Sequence, residues 1–375
     1  MKIRGAVLEE IGRRPAYADS QPLTVCDLDL DDPAGDEILV RIECAGICHS
    51  DLSVVNGDRV RPVPMLLGHE AAGIVESVGS TVTDLVPGDR VVMTFLPRCG
   101  ECRGCRSNGL LPCSEGTASN TNGTLLSGKI RLHRGGEEVL HHLGVSGFAT
   151  HAVVDQRSVV KVGADVPPEV AALLGCAVLT GGGAVLNLAR PEPGDTLIVV
   201  GLGGVGMAAL LTARALGAEV IGVDANEEKL GQAQDLGAAA AYTPAVAAEL
   251  GITAPTVVEA AGNARAFETA VALTEPGGTT ITVGLPAPTA LAQVSPLTLV
   301  AEARTIIGSY LGSAVPARDV PIFADLWRQG RLPVEKLVSA RIALEDINAA
   351  MDDLAGGRAL RQIIHFDAEG SPGAQ

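Results

Sequence analysis

Apolar and polar residues alternate in short runs through the first third of the chain. Residues 37–44 (EILVRIEC), 71–78 (AAGIVESV) and 89–94 (DRVVMT) have the period of strands, and Gly and Pro punctuate them. This texture predicts a mostly β module. From about Pro168 it changes, and the apolar runs 196–200, 220–224, 256–259 and 279–283 are separated by Ala-rich stretches of helical period. Strands apolar on both faces, alternating with helices, predict a parallel sheet covered on both sides. Beyond Tyr310 the pattern reads as a helix (319–329), a strand (337–344), a helix (345–354) and a strand (360–366), a tail expected to rejoin the first module. The final 367–375 reads as disordered. The expected organisation is residues 1–177 with 311–375 as one domain, and 178–310 as the other.

Composition narrows the classes of function. A chain of 375 residues suits two or three domains, and with 2% aromatic residues its core has to be built from Ala, Val, Leu and Ile. Lys and Arg number 28 against 44 Asp and Glu, a formal charge of −16. Such a field repels phosphate backbones and anionic headgroups, so neither nucleic acid nor membrane is an expected partner. No run of eighteen uncharged apolar residues stands out, and the opening MKIRGAVLEEIGRR lacks a signal-peptide pattern, so the expected location is the cytoplasm. Thiols there stay reduced, and the 8 cysteines are read first as metal ligands rather than disulfides.

Residues 196–215, TLIVVGLGGVGMAALLTARA, place an apolar strand before Gly201-Leu202-Gly203-Gly204-Val205-Gly206 and a helix after it. Gly201 makes the tight turn, Gly203 lets backbone N–H groups approach a pyrophosphate, and Gly206 permits close helix–sheet packing. Asp224 ends the next strand, where a carboxylate accepts hydrogen bonds from a ribose diol. A phosphate on that ribose would meet like charge, so NAD is expected over NADP.

Cys99, Cys102, Cys105 and Cys113 fall within fifteen residues, a spacing that wraps one zinc tetrahedrally and leaves no open position. Spacing alone also admits an iron–sulfur cluster. Three more ligand types lie far apart: Cys48 in GICHSD, His69 in GHEAAG and Cys176 in LLGCAVLTG. Singly, a lone Cys or His is more often a packed core residue than a ligand.

Taken together, Gly46–Asp51, Gly68–Gly73, the four-cysteine loop, Cys176–Thr180, the glycine cradle, Asp224 and residues 357–364 (GRALRQII) resemble the zinc-dependent medium-chain alcohol dehydrogenases, in that family's order and over nearly the whole chain. The resemblance implies an α/β protein, with a GroES-like mostly β catalytic domain and a doubly wound Rossmann domain. It implies two zinc ions per chain, one structural and one catalytic on Cys48, His69 and Cys176, and hydride transfer between NAD and an alcohol or aldehyde. Ser50 would take the substrate proton, Asp51 would accept the second ring N–H of His69, and Glu70 would stand beside the metal. Thr180 would touch the nicotinamide, His49 and Arg361 would meet the pyrophosphate, and Lys229 joins the cofactor set with Gly204 and Val205. The substrate pocket would draw on Ser50, Arg59, Phe95, His142, Leu143, Leu285 and Tyr310, and its polar members imply a substrate larger or more polar than ethanol. The long segment 114–147 is similar to the dimeric branch, so a homodimer is expected.

Ser53 stands where many members carry a relay histidine. Arg59 and Thr117 stand where the glutathione-dependent formaldehyde dehydrogenases hold their thiol adduct, a departure that tells against that substrate. A thiol-dependent formaldehyde dehydrogenase, an enzyme with permanently bound NAD, and a non-catalytic dinucleotide-binding regulator remain the alternatives.

Overall fold

The computed structural model describes residues 1–366 and resolves into two units. The first takes Met1–Ser107, Pro112–Cys176 and the chain from Val338 onward, and the second takes Asn108–Leu111 and Ala177–Leu337. The segment 367–375, read from the sequence as disordered, lies outside the described residues.

The first unit holds a small closed barrel and a seven-stranded sheet. Lys2–Leu8, Leu23–Leu30, Leu132–Arg134, Glu137–His141 and Met65–Leu66 close the barrel. The sheet runs in the order Val159–Val162, Arg90–Met93, Glu70–Val78, Glu37–Ile47, Arg361–His365 and Val338–Ile342, with His151–Asp155 also paired to Glu37–Ile47. The central strand Glu37–Ile47 runs longer than its apolar pattern suggests and is buried at nearly every position. Its register sets Gly46 opposite Glu70 on one side and Ile363 on the other. The strand ends next to Cys48, His69 with Glu70, and Arg361 are thereby brought to one end of the sheet.

The second unit is a six-stranded parallel sheet in the order Ala240–Tyr242, Glu219–Val223, Thr196–Val200, Ala254–Glu259, Thr274–Thr282 and Thr305–Gly308. Numbered along this unit the order is 3-2-1-4-5-6, that of a doubly wound dinucleotide fold. Its strands are apolar on both faces because helices such as Gly204–Ala215 cover them, and Ile198, Val257 and Ala270 close over one side.

Two expectations change. The chain rejoins the first unit at Val338, not at residue 311. The helix Pro316–Arg328 belongs to the second unit, where Phe323 lies against Gly182, Asp319 accepts from Asn187 Nδ2 at 3.1 Å, and Arg331 donates to the Ala215 carbonyl. A stretch long and apolar enough to cross a bilayer does exist, Pro168–Ala189, but it is 83% buried inside the protein and reads as a core helix.

The returning C-terminal segment is fastened by side chains that imitate backbone pairing. Asn348 accepts from Leu23 N–H at 3.1 Å and donates to Leu23 O at 2.9 Å, while Asp352 accepts from the N–H groups of Tyr17 and Ala18 at 2.8 Å. Asn348→Ala strands two buried backbone groups and should cost about 2 kcal/mol of stability, seen as a Tm lower by several degrees. An unchanged Tm would show that water satisfies Leu23 equally well.

Candidate active site

The strand Glu37–Ile47 ends at Cys48, an extended residue (φ −126°, ψ 154°) that starts the helix His49–Val55. Its thiol accepts the Asp51 N–H while Asp51 Oδ2 accepts the Cys48 N–H at 3.1 Å, a reciprocal cap with cysteine in the usual place of serine. The other oxygen, Oδ1, lies 2.9 Å from His69 Nδ1. A carboxylate can only accept, so His69 donates from Nδ1, which leaves Nε2, 3.3 Å from Cys176 Sγ, as the nitrogen that a metal would take in place of a proton. Gly68, at φ +92° and pressed against Phe148, makes the turn that delivers this ring.

Cys176 lies in a π-helical stretch, Leu174–Gly182, the wide-turn geometry often found at functional sites. A side chain at the preceding Gly175 would strike the Met93 carbonyl, so only glycine lets the thiol approach. The ligand atoms of Cys48, His69 and Cys176 lie within 4.8 Å of one another and all three residues are buried. Tetrahedral zinc spaces a sulfur and a nitrogen by ~3.6 Å, so this donor set fits one ion with the fourth position left open.

The electrostatics suit a dication. Cys48 is held well below its ordinary pKa by a hydrogen bond from the Cys176 thiol, against burial and with help from Arg361 and His69. The same hydrogen bond, together with burial, pushes Cys176 up. Glu70 is buried with neither oxygen hydrogen-bonded, and burial raises its pKa to about 7 although Arg361 opposes the rise. A side chain at Gly46 would overlap that carboxylate, so glycine there makes its room. Arg361, expected at the pyrophosphate, lies in the first unit, where its Nη1 donates to the Ile47 carbonyl at 3.3 Å and sits 3.7 Å from Glu70 Oε2.

The four-cysteine lobe is also preorganised. Cys99 and Cys105 sulfurs lie 3.8 Å apart and those of Cys102 and Cys113 3.9 Å, against ~3.8 Å for sulfurs on one tetrahedral zinc. Backbone N–H groups of Cys99, Gly100, Cys105 and Gly116 each point at a ligand sulfur at 3.3 Å, which favours thiolates. All four ligand atoms gather within 4.8 Å, the span of one ion rather than a multi-iron cluster.

In the second unit the cradle has the geometry its glycines foretell. Gly201 sits at φ +91° against Ala261, Gly206 abuts the Gly201 carbonyl, and Gly203 opens on empty space at the start of the helix that Gly204 and Val205 begin. Asp224 accepts from the N–H of Leu202 at 2.7 Å and of Asn226 at 2.8 Å, which fixes its carboxylate beside the glycine turn. Lys229 follows on the helix Glu227–Asp235.

The expected pocket residues divide between the units. Phe95 meets His69 edge-on at 5.5 Å, and Leu143 is nearly buried in the same unit. Arg59 and Ser50 are half-buried, His49 is exposed, and Ser53 turns its hydroxyl back onto the His49 carbonyl at 2.8 Å. Thr180, Leu285 and Tyr310 belong to the second unit. His142 is 1% exposed, and its Nδ1 lies 3.3 Å from Asp51 Oδ1. Gly46 and Gly175 stand inside the quoted motifs, but the sequence alone gives them no role of their own. The sequence reading passed over Arg61, whose buried Nε has no hydrogen-bond partner and whose charge lowers the pKa of His142, behind the larger effect of burial.

Comparison with known proteins agrees with this geometry. Residues 34–164 match the alcohol dehydrogenase GroES-like domain and residues 204–327 the zinc-binding dehydrogenase domain. Geraniol dehydrogenase of Castellaniella defragrans is 37% identical over 97% of each chain. The NDMA-dependent alcohol dehydrogenase of Amycolatopsis methanolica is 34% identical, over 98% of this chain and 100% of its own. The crystal structure of benzyl alcohol dehydrogenase from Acinetobacter calcoaceticus superposes with a TM-score of 0.89 at 32% identity, over 98% of this chain and 100% of that one. The chain belongs to the zinc-dependent medium-chain alcohol dehydrogenases, enzymes that bind a nicotinamide dinucleotide and carry here both a structural and a catalytic zinc site.

Separate ligand sets predict separable losses. Cys176→Ser should leave one zinc per chain by elemental analysis and lower alcohol oxidation more than about 100-fold, with dinucleotide affinity nearly unchanged. Two zinc ions retained, or lost dinucleotide binding, would refute this division of labour.

Proposed function

We propose that the protein oxidises a primary allylic or benzylic alcohol to its aldehyde, and the reverse, with exchangeable NAD as the hydride acceptor. The observation that carries the reading is the buried Cys48, His69 and Cys176 set, whose three donors leave a tetrahedral position for a substrate oxygen. When bound, zinc supplies a Lewis acid that acidifies a hydroxyl, and the nicotinamide supplies a hydride acceptor. Ser50, in the first turn of the helix that Cys48 caps, is the proposed first acceptor of the hydroxyl proton. Asp51 keeps His69 in the ligating tautomer. Phe95 supplies apolar surface beside His69. Two of the relatives named above act on geraniol and benzyl alcohol, whose carbinol carbon lies next to a π system that eases hydride loss. The anionic Asp224 beside the cradle supports NAD over NADP.

A second reading has its own support in the NDMA-dependent relative: the dinucleotide stays bound and an external acceptor reoxidises it. The two separate in one experiment, in which purified protein is scanned for bound nicotinamide and then assayed with geraniol, benzyl alcohol, ethanol and thiol-supplemented formaldehyde, each with added NAD or NADP. The first reading expects no dinucleotide after desalting, turnover with NAD, and kcat/KM for the allylic and benzylic alcohols at least about 10-fold above ethanol. Stoichiometric bound dinucleotide with turnover only on an added acceptor would establish the second. Formaldehyde oxidised only with thiol present would overturn both.

A homodimer is proposed on the edge of the six-stranded sheet. The outer strand Thr305–Gly308 pairs on one side only among the described residues, and the helix before it, Pro296–Ala301, buries none of its residues. Leu297 (76% exposed) and Val300 (81%) form an apolar border that an isologous partner would cover. Light scattering should give the mass of two 38.3 kDa chains, and Leu297→Asp with Val300→Lys should shift it toward one. A monomeric wild type, or a variant that stays dimeric, would refute this interface.

A further inference from the structure

The buried group that the zinc chemistry leaves unexplained is His142. Its side chain is sealed from solvent, and Nδ1 has no partner in good hydrogen-bond geometry, although Asp51 Oδ1 lies 3.3 Å away. Burying an unpaired imidazole nitrogen is costly, whereas a phenylalanine would fill the same space without that cost. Asp51 Oδ1, 3.3 Å away, already accepts from His69 at 2.9 Å, so one carboxylate oxygen faces two imidazoles. The two rings stand perpendicular, at 89°, with centroids 5.7 Å apart. The loop holds His142 in this place: its N–H donates to Ser146 Oγ at 3.0 Å, and its carbonyl accepts the N–H groups of Val145 at 3.0 Å and Ser146 at 3.2 Å. Leu143 and Ser146 both adopt φ +52°, so the turn is tight and the ring has little freedom to withdraw.

We propose that His142 is a positioning residue for the catalytic zinc: it fixes the Asp51 carboxylate at the oxygen that the Cys48 N–H does not hold and confines the His69 ring, so that His69 Nε2 stays aimed at the metal. Cys48 N–H holds Oδ2, while His69 and His142 bracket Oδ1. Partners that orient a ligating imidazole set metal affinity, so the consequence is a tighter catalytic zinc. The proposal rests on the zinc reading of the Cys48, His69 and Cys176 set.

The test follows zinc release to a chromogenic chelator from wild type, His142→Phe, His142→Asn, Asp51→Asn, and Asp51→Asn combined with His142→Phe. The Phe variant should release one of its two zinc ions about 10- to 100-fold faster and the structural ion at the wild-type rate. The Asn variant, whose amide can present an N–H where Nδ1 lies, should stay within about 3-fold of wild type. In the Asp51→Asn background the Phe substitution should add nothing, because its route runs through that carboxylate. Phe and wild type alike, Phe and Asn alike, or additive losses on Asp51→Asn would each overturn the proposal. If the Phe variant does not fold, His142→Leu takes its place under the same criteria. A wild type that binds one zinc would overturn the catalytic-site reading, and this inference with it.

Discussion

The Asp51 carboxylate is the constraint on which the first unit's chemistry depends. One oxygen closes the start of the helix His49–Val55 on the Cys48 N–H, and the other fixes the tautomer of His69. Helix nucleation and metal-ligand orientation are thus one event, and the site is shaped as soon as the strand Glu37–Ile47 meets that helix. Burial would raise the Asp51 pKa, but the attraction and hydrogen bond of His69 and the close approach of His142 outweigh it, so the group stays ionised without contact with water. Such a group is strongly held only while both its partners stay in place.

Steric room is the second constraint, and glycine supplies it where backbone or charge must come close. Gly46 leaves space for the Glu70 carboxylate, and Gly175 lets the π-helical stretch carry Cys176 past Met93. In the other unit, Gly181 does the same against the Val205 carbonyl, and Gly206 against that of Gly201. The cradle and the metal site, so different in chemistry, both rest on helix backbone packed more tightly than any side chain allows.

Much of this was legible in the chain because the signals were local. Strand-turn-helix punctuation around Gly201–Gly206, four thiols within fifteen residues, and strands apolar on both faces carry their structural meaning in consecutive residues. The assignment of 311–337 to the first domain failed because the amphipathic helix Pro316–Arg328 bears no mark of which unit will cover its apolar side. The apolar stretch 168–189 escaped notice because Gly, Thr and Asn interrupt it, although its mean hydropathy of 1.8 is membrane-like. The role of His142 was out of reach for a different reason: 91 positions separate it from Asp51, and only the barrel's closure through Glu137–His141 brings them together.

Charge balance shows why these distant pieces need one another. Cys48, Cys176, Glu70 and Asp51 place four acidic groups in one buried region, with Arg361 and the His69 ring as the cations among them. Burial works against that guanidinium, but Glu70 and the two thiols more than offset it, and its pKa is raised. Two cations cannot balance four anions, so without a metal Cys176 and Glu70 are pushed toward their protonated forms. A dication reverses this: two thiolates are neutralised, the Glu70 carboxylate is left to Arg361, and Asp51 to the His69 N–H. Arg361 arrives on the last strand of the chain, Arg361–His365, so the charge balance of the metal site depends on the tail that Asn348 and Asp352 fasten to residues near the N-terminus. A site assembled from both ends of the first unit is therefore complete only when the whole unit has folded.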